Sequence, residues 1–408
     1  MPFTVRVLDM EQGDCTLIKC PDDRLVMVDC GSKSGFSDDR MVVAQMSARD
    51  WAIANGNKID ALILTHPDKD HYSQVFNVLG RFEWDNDVQV GNEVYRAGRL
   101  NKVKLPNIYF SLASNVAGPL ANYSTNSINH YIYTEYFNTS LIHEVTINAA
   151  TQSYITWDHT DNFTGPSPAT AIANHKFTIL NGVESGTNWS VSIIAGNVPP
   201  PGGAAGEEAK NHYSLVTLLE HGANKGLIMG DSTMTTEAFL ALTHAAAITN
   251  VVFIQAGHHG SETSSGTIFA ATTNPSVVYI SVENTEHSHF LPKFDRVSEW
   301  LTALNGKPVI ADHTIDYWVR DPNAMPGMAN LATAMLDAWK LDATIHVYPV
   351  PPEVASYYFL DPDFHDYSAL DNQYFALHTK TGFRLYRAGT TRNLRETATQ
   401  GSFEFTLG

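Results

Sequence analysis

Apolar and polar positions alternate along the first thirty residues, over TVRVLD (4–9), CTLIKC (15–20) and LVMVDC (25–30). This alternation, with short turns between the segments, predicts three β-strands. The following segment, SDDRMVVAQMSARDWAIANG, repeats its apolar residues at helical spacing, so we expect a helix with Ser37 as N-cap and Gly56 at its end. ALILT (61–65) is continuously apolar and predicts a short buried strand, which leads into a short helix over YSQVFNVLG.

The pattern loosens between residues 85 and 210, where Asn, Ser, Thr and Tyr are frequent and NVPPPGGAAGEEAKN predicts a loop. We interpret this stretch as an insertion with some strands of its own. Regular patterns then return and predict further elements: strands over SLVTLLEHG (214–222), KGLIMGD (225–231), VVFIQ (251–255) and VVYISV (277–282), helices over TTEAFLALTHAAA and PKFDRVSEWLTALNG, and a hairpin over QYFALHTKTGFRLYRAG. Two blocks that mix strands and helices favour a two-sheet sandwich flanked by helices over one doubly wound sheet.

The composition narrows the functional classes. The chain has 408 residues, with 26 basic and 43 acidic side chains and a net charge of −17 at pH 7. This balance argues against a broad basic surface that grips nucleic acid, although bound cations could supply positive charge at an active site. MPFTVRVLDM has no signal-peptide pattern, and no apolar run is long enough to span a membrane. The three cysteines, Cys15, Cys20 and Cys30, predict buried small side chains in a reducing compartment, so we expect a cytoplasmic protein.

Four predicted strands end in side chains that can bind a metal ion. Asp29 follows LVMV, and the segment from His66 to His71 follows ALILT. Asp231 follows GLIMG, and the pair His258 and His259 comes shortly after VVFIQ. If these ends meet at one edge, their imidazoles and carboxylates form a suitable ligand set for two divalent ions of zinc, manganese or iron.

Each of these features is common by itself. A short His-Asp-His segment is usually a solvated turn, and a lone Asp after a strand usually caps a turn or helix. Their joint occurrence, each at the end of an apolar strand, favours a site. The histidines of the loosely patterned stretch are predicted to be ordinary surface or core residues: His130, His143, His159 and His175. The Tyr-rich segment KLPNIYF could stack on a base or a sugar, but such strands more often serve packing.

Five segments, taken in order, resemble one known family. They resemble motifs of the metallo-β-lactamase superfamily, and within it the branch related to the competence protein ComEC. The five segments are LDMEQGDCTLI, VMVDCG, THPDKDH, NHYSLVTLLEHG…LIMGD and GHHGSETS. The resemblance covers about residues 3–30, 60–75, 211–232 and 250–292. The sequence departs from the family pattern at two places: Glu11 stands where the branch usually has Gly, and the position near His212, where many members carry a third-motif histidine, often lacks one in this branch. Asp68 stands where a second His is commoner in the superfamily. Asp68 favours the ComEC-like branch over the antibiotic-hydrolysing one.

The resemblance implies a fold and a domain organisation. The expected fold class is α/β, a metallo-β-lactamase αββα four-layer sandwich with a large insertion and a C-terminal extension. We expect a single domain over residues 1–408, with its core at about 1–84 and 211–312, the insertion at 85–210 and the extension at 313–408.

The resemblance also implies roles for individual residues. His66 and Asp68 would hold one metal ion, Asp70 and His71 the other, and Asp231 would bridge the two. His258 is the expected further ligand, with His259 as the alternative, and His212 is a further candidate. Asp29 and Asp14 would orient ligands by hydrogen bonds. Asp70, Asp231 and His289 would be catalytic, with His289 acting on the leaving oxygen and His287 a less suitable neighbour.

These roles predict a dinuclear hydrolase, most naturally a phosphodiesterase or nuclease that uses a metal-bridged hydroxide. The expected cofactors are two divalent ions, Zn²⁺ or Mn²⁺, and the expected substrate is a small phosphodiester or a short nucleic acid, with no membrane partner. A lactonase or β-lactamase-like hydrolase of acyl substrates remains an alternative, as does a metal-poor binding module. The sequence does not decide between zinc and manganese and does not give the oligomeric state.

Overall fold

The computed structural model describes residues 1–10, 13–32, 38–90, 93–111, 140–157, 167–202 and 210–281, and short segments at 296, 299–300, 303, 345–347, 385–387, 393–396 and 403–408. The chain divides into two compact units. The N-terminal unit comprises Met1–Asn224 and Gly401–Gly408, and the C-terminal unit comprises Lys225–Gln400. Each unit is described by itself below.

In the residues that the structure describes, the N-terminal unit has two sheets, a ribbon and three α-helices. Its strands are β1 (Phe3–Val7), β2 (Thr16–Lys19), β3 (Leu25–Val28), β4 (Ala61–Leu64), β5 (Gly80–Val90), β6 (Glu93–Lys102), β7 (Asn107–Phe110), β8 (Leu141–Ile147), β9 (Gln152–Trp157), β10 (Thr170–Ala171), β11 (Phe177–Glu184), β12 (Thr187–Ala195), β13 (Val216–His221) and β20 (Phe403–Leu407). Its helices are α1 (Asp38–Ala54), α2 (Lys69–Tyr72) and α3 (Val75–Leu79).

Nine of these strands form one mixed sheet in the order β10-β9-β8-β7-β4-β3-β2-β1-β20. Strands β3, β4, β7 and β8 run parallel, whereas β1 and β2 join the sheet as antiparallel neighbours. Every residue of β3 and β4 is buried, as their continuous apolar runs predict for central parallel strands. Because β3 and β4 are parallel neighbours, the residues that follow them, Asp29 and His66, emerge at the same edge of the sheet.

Helix α1 packs against one face of this sheet. Ala44, Ala48 and Ala52 recur every four residues and are buried in a core that also contains Met27 and Leu62. Small side chains on this stripe let the helix approach the strands closely. The predicted helix is therefore confirmed, although its predicted N-cap at residue 37 lies outside the described residues.

Strands from the stretch between residues 85 and 210 extend both sheets of this unit. β7 continues the parallel part of the first sheet beside β4, and β11, β12 and β13 form the antiparallel second sheet. Strands β11 and β12 are joined by a tight turn in which Ser185 and Gly186 have φ values of 50° and 81°. The stretch does carry strands, as expected, and its status as an insertion in a single domain stays a prediction.

The C-terminal unit has a parallel sheet flanked by helices. Its strands are β14 (Asn224–Ile228), β15 (Phe253–Gln255), β16 (Val277–Ile280), β17 (Ile345–Val347), β18 (Leu385–Arg387) and β19 (Asn393–Glu396), and its helices are α4 (Met234–Thr243), α5 (Ala245–Ile248) and α6 (Thr267–Thr273). Strands β14, β15, β16 and β19 run parallel in that order, and β17 pairs with β18 in an antiparallel ribbon. The mixed α/β class with sheets and flanking helices is confirmed.

Some of the predicted elements fall partly on residues that the structure does not describe. Of the helix predicted over 292–306, residues 296, 299, 300 and 303 are described, and all four are helical. One arm of the predicted hairpin over 373–389 lies outside the described residues, and the described strand β18 pairs with β17. All three cysteines are buried, as predicted. Within the described segments, no helix has the length and apolar character needed to cross a membrane.

Candidate metal centre

The N-terminal unit gathers four loops at the end of β3 and β4. Gly31 makes this possible, because a Cβ there would lie 2.2 Å from the Asp70 carbonyl carbon and 2.3 Å from the His71 nitrogen. Backbone hydrogen bonds complete the junction: Asp14 N–H donates to the Asp70 carbonyl at 2.9 Å, and Cys30 N–H donates to the His71 carbonyl at 2.8 Å. The loops that carry the candidate ligands are thus fixed to one another by the main chain.

The carboxylate of Asp29 makes several of the hydrogen bonds that hold this cluster together. Its carboxylate is 1% exposed and accepts hydrogen bonds from the Thr65 N–H at 2.7 Å and the Thr65 hydroxyl at 2.7 Å. It also lies 2.8 Å from Nδ1 of His71. An ionised carboxylate only accepts hydrogen bonds, so Nδ1 of His71 is the donor. In the neutral form of the ring, the lone pair of His71 is then on Nε2, the arrangement of a histidine that binds a metal ion through that atom.

The ring of His66, like that of His71, is held through Nδ1 so that Nε2 is available for a metal ion. Its Nδ1 lies 3.2 Å from the Thr65 hydroxyl oxygen and 3.4 Å from that of Ser214. Because the Thr65 proton is donated to Asp29, the Thr65 oxygen acts as the acceptor for Nδ1–H of His66. Nε2 of His66 faces Asp68, with 3.6 Å between Nε2 and Oδ2. Two ligand atoms of a tetrahedral zinc ion, each at about 2.1 Å from it, are about 3.4 Å apart, so this pair fits a shared ion.

The remaining predicted residues of this unit line the same junction. Asp14 and Asp70 are both buried, and Oδ2 of Asp14 lies 3.6 Å from Nδ1 of His71. Asp68 is partly exposed and forms an ion pair with Lys210 at 2.8 Å. Burial raises the pKa of Asp68, but the contacts with His66 and Lys210 outweigh burial, so the pKa lies below its ordinary value. His212 is half-buried in the 3₁₀ turn Asn211–Tyr213.

The C-terminal unit has its own cluster around Asp231. Nε2 of His258 lies 3.7 Å from Oδ2 of Asp231, and Nε2 of His259 lies 3.5 Å from Oδ1. Nδ1 of His259 contacts the carbonyl oxygen of Ser281 at 2.6 Å, which makes Nδ1 the donor and leaves the lone pair on Nε2. Nδ1 of His258 contacts the Thr263 hydroxyl at 2.8 Å, a partner that can donate or accept. Both histidines therefore present Nε2 to Asp231, and the tautomer of His259 is the better defined.

The backbone at these residues is unusual. His258 and His259 have φ values of 49° and 51°, and Asp29 has a φ of 56°. This left-handed region disfavours side chains with a Cβ. The His258 N–H donates to the Gly230 carbonyl at 2.9 Å, which holds the histidine loop against the end of β14.

Comparison with known proteins finds a family model that matches part of the N-terminal unit. Residues 8–99 match the family model of the metallo-beta-lactamase superfamily. The match includes Asp14, Asp29 and the segment His66–His71, and it covers less than a quarter of the 408 residues. Members of the metallo-beta-lactamase superfamily are mostly metal-dependent hydrolases, and they typically bind divalent metal ions. The mixed α/β architecture with two sheets is consistent with the metallo-beta-lactamase fold.

Solved structures show more distant likenesses. Human tRNase Z, short form, is 12% identical with a TM-score of 0.36, and the match covers 67% of this chain and 91% of that one. A mutant of the CmlA beta-hydroxylase is 12% identical with a TM-score of 0.32, over 68% of this chain and 46% of that one. No sequence among curated proteins matches the chain significantly.

Some of the important contacts were not predicted from sequence. Thr65 connects Asp29 to both histidines, and its only sequence signal is its place as the last residue of ALILT. Lys210 is separated from Asp68 by more than a hundred residues, and no motif points to it. His289 and His287 lie outside the described residues, so their predicted roles stay predictions.

His143 on β8 and Tyr109 on β7 pack against each other in the first sheet. Tyr109 is 7% exposed, and its ring stacks on His143 with 4.6 Å between centroids. Burial lowers the pKa of His143 to about 4. The segment KLPNIYF thus contributes its tyrosine to the sheet, which agrees with the expectation that Tyr-rich strands serve packing.

Proposed function

We propose that the protein is a dinuclear metal-dependent hydrolase of the ComEC-like branch, acting as a phosphodiesterase or nuclease in the cytoplasm. The proposed ligands are those that the sequence predicts: His66, Asp68, Asp70, His71, Asp231 and one or both of His258 and His259. The cofactors would be two divalent ions, Zn²⁺ or Mn²⁺, since imidazole and carboxylate donors suit both.

One observation carries this proposal. Two buried histidines, His71 and His259, have Nδ1 hydrogen-bonded to groups that only accept, a carboxylate and a backbone carbonyl. Both rings are thereby held with the Nε2 lone pair directed away from the supporting partner. Metal-binding histidines have this support, whereas a histidine that only fills a core needs no fixed tautomer. The carboxylates beside them complete the donor set of a hard or borderline divalent ion.

The chain's own residues have separable tasks in this proposal. Asp29 and Thr65 hold the imidazoles, and Asp70 and Asp231 orient the attacking nucleophile. His289 supplies a proton to the departing oxygen. When bound, divalent ions provide a nucleophile at neutral pH and polarise the electrophile.

The substrate class follows from charge and from the resemblance to the ComEC-like branch. The net charge of −17 disfavours a long duplex, which would need many cationic contacts to phosphate, and favours a small phosphodiester or a short single strand. Hydrolysis of a lactone or β-lactam uses the same chemistry and is the competing activity. A metal-poor binding module is the competing non-enzymatic reading.

Metal analysis of protein purified without chelator tests the first step. We expect about two transition-metal ions per chain, and a content below about one per chain at neutral pH would refute the metalloenzyme proposal. Hydrolysis of bis-p-nitrophenyl phosphate, single-stranded DNA, RNA and cyclic dinucleotides should then stop on addition of EDTA and return with Mn²⁺ or Zn²⁺. Activity on acyl substrates alone would replace the phosphodiesterase by the lactonase.

A further inference from the structure

Lys210 stands at the rim of the N-terminal cluster. Its Nζ lies 2.8 Å from Oδ1 of Asp68, while Oδ2 of the same carboxylate lies 3.6 Å from Nε2 of His66. A single carboxylate therefore connects the ammonium group to the imidazole that faces the candidate metal position. The Lys210 side chain is also 52% exposed, so a ligand arriving from solvent can reach its Nζ.

The backbone fixes where Lys210 begins. Its carbonyl accepts the Tyr213 N–H at 2.9 Å and so closes the 3₁₀ turn Asn211–Tyr213. Directly after this turn, the Ser214 hydroxyl lies 3.4 Å from Nδ1 of His66, and the Leu215 N–H donates to the Thr65 carbonyl at 3.1 Å. The turn is thus attached to the end of β4, and Lys210 is held beside the cluster by main-chain contacts that do not depend on its ion pair.

Stability does not explain this ion pair. The side chains of Lys210 and Asp68 are 52% and 31% exposed, and ion pairs at such positions contribute little to the free energy of folding. Asp68 is also a proposed metal ligand, and a lysine against a ligand carboxylate competes with the metal ion for its charge. The position of Lys210 is better explained if its ammonium group contacts another bound molecule.

The net charge of the cluster indicates what kind of molecule Lys210 would contact. Asp14, Asp29, Asp68 and Asp70 carry four formal negative charges, which equal the charge of two divalent ions, and the proposed ligand Asp231 adds a fifth. An anionic substrate would then meet no net positive charge from the metals and these carboxylates together. One lysine at the rim restores attraction for an anion, and lysine binds phosphate well as a compact point charge.

We propose that Lys210 is a substrate-binding residue that contacts a non-bridging phosphate oxygen and selects anionic phosphodiesters over neutral esters. This inference rests on the proposed function and deepens it. On substrate binding, Nζ would exchange part of its contact with Asp68 for a contact with the phosphate.

Three variants of the full chain test this assignment. Lys210→Met removes the charge and keeps the length, Lys210→Arg keeps the charge, and Lys69→Met removes the charge of another exposed lysine next to Asp68 in the chain. The probes are Mn²⁺ titrated into metal-free protein, inorganic phosphate titrated into Mn²⁺-loaded protein, and the kinetics of bis-p-nitrophenyl phosphate and of the neutral ester p-nitrophenyl acetate.

For Lys210→Met we expect the phosphate Kd and the KM for the phosphodiester to rise about tenfold, because a charge-assisted hydrogen bond is lost. The kcat should stay within about twofold and the neutral ester should be unaffected, as expected for a contact made equally in ground and transition states. Mn²⁺ should bind no more weakly, since Asp68 loses a competing cation. Lys210→Arg should retain most of the phosphate affinity.

Several results would overturn the assignment. These are an unchanged phosphate Kd in Lys210→Met, an equal loss in Lys69→Met, or a large loss of Mn²⁺ affinity, which would show that Lys210 only positions Asp68. A wild-type protein that binds phosphate but cleaves no phosphodiester would refute the proposed function, while the phosphate titration would still decide on Lys210. Failure of the wild type to bind either Mn²⁺ or Zn²⁺ would refute both proposals.

Discussion

Replacing Thr65 by valine removes one hydroxyl group from the centre of the N-terminal cluster and keeps the shape of the side chain. Thr65 is fully buried, and its hydroxyl donates to Asp29 at 2.7 Å. The same oxygen lies 3.2 Å and 3.3 Å from Nδ1 of His66 and His71. In the variant Asp29 keeps the Thr65 backbone N–H and the His71 ring as donors, so the carboxylate stays in place with one hydrogen bond fewer.

Two effects of different size follow. A hydrogen bond to a charged group contributes about 1.5–3 kcal/mol, so metal-free Thr65→Val should lose about that much free energy of unfolding. His66 also loses the nearer of the two hydroxyl groups beside its Nδ1 and keeps that of Ser214 at 3.4 Å. Removing such outer partners typically weakens metal binding about 10–100-fold, so we expect a loss in this range.

The assay compares Thr65→Val with Thr273→Val. Thr273 is also fully buried, but its hydroxyl donates to the neutral carbonyl of Ala270 at 3.1 Å, inside the C-terminal unit. Urea unfolding of metal-free protein gives the stability change, and competition with a chromogenic chelator gives the metal affinity. Thr273→Val should lose about 0.5–1.5 kcal/mol and keep wild-type metal affinity. If Thr65→Val binds Zn²⁺ or Mn²⁺ as tightly as the wild type, Thr65 does not set the histidine geometry and the reasoning is wrong.

Three further predictions use the same preparations. Asp231→Asn and His71→Ala should each abolish hydrolysis while the far-ultraviolet circular dichroism stays native; near-wild-type turnover in both would overturn the ligand assignment. His259→Ala should weaken metal binding more than His258→Ala, because the Ser281 carbonyl fixes the His259 tautomer; the reverse order in the chelator competition would contradict this. Burial raises the pKa of Glu237 to about 7, against backbone hydrogen bonds that lower it, so the folded state binds the proton more tightly than the unfolded state. The stability of the wild type relative to Glu237→Gln should therefore fall between about pH 4.5 and pH 7, and a difference independent of pH in urea unfolding would refute it.

Local sequence predicts well which polar residues follow the buried strands. Asp29 and His66 follow strands whose apolar runs are unmistakable, and parallel neighbours in a sheet must present such residues at one edge. The strands themselves and the chemistry of each strand end were therefore accessible without a structure. The choice between His258 and His259 was not resolved, because it depends on side-chain contacts that the motif does not reveal: His258 contacts Thr263, and His259 contacts the carbonyl of Ser281, which lies outside the motif.

Long-range partners explain what the sequence did not predict. Lys210 meets Asp68 across 142 positions of the chain, and no spacing rule connects residues so far apart. Strand β7 was assigned to an insertion because its neighbourhood lacks a clear period, yet it pairs with β4 in the main sheet. Pairing between distant strands depends on tertiary packing, which overrides a weak local pattern.

Backbone conformation gives an argument for function that is independent of any motif. Asp29, His258 and His259 all occupy the left-handed region, where a non-glycine residue costs about 1–3 kcal/mol. Glycine would adopt the same backbone with less strain, as Gly260 does directly after the two histidines with a φ of 76°. The chain keeps side chains at the three strained positions, and each of them contacts another candidate residue or its support. Other non-glycine residues of the described chain, Asn57 and His175 among them, share this conformation, so the argument for the proposed metal site rests on the contacts of Asp29, His258 and His259 together with their strain.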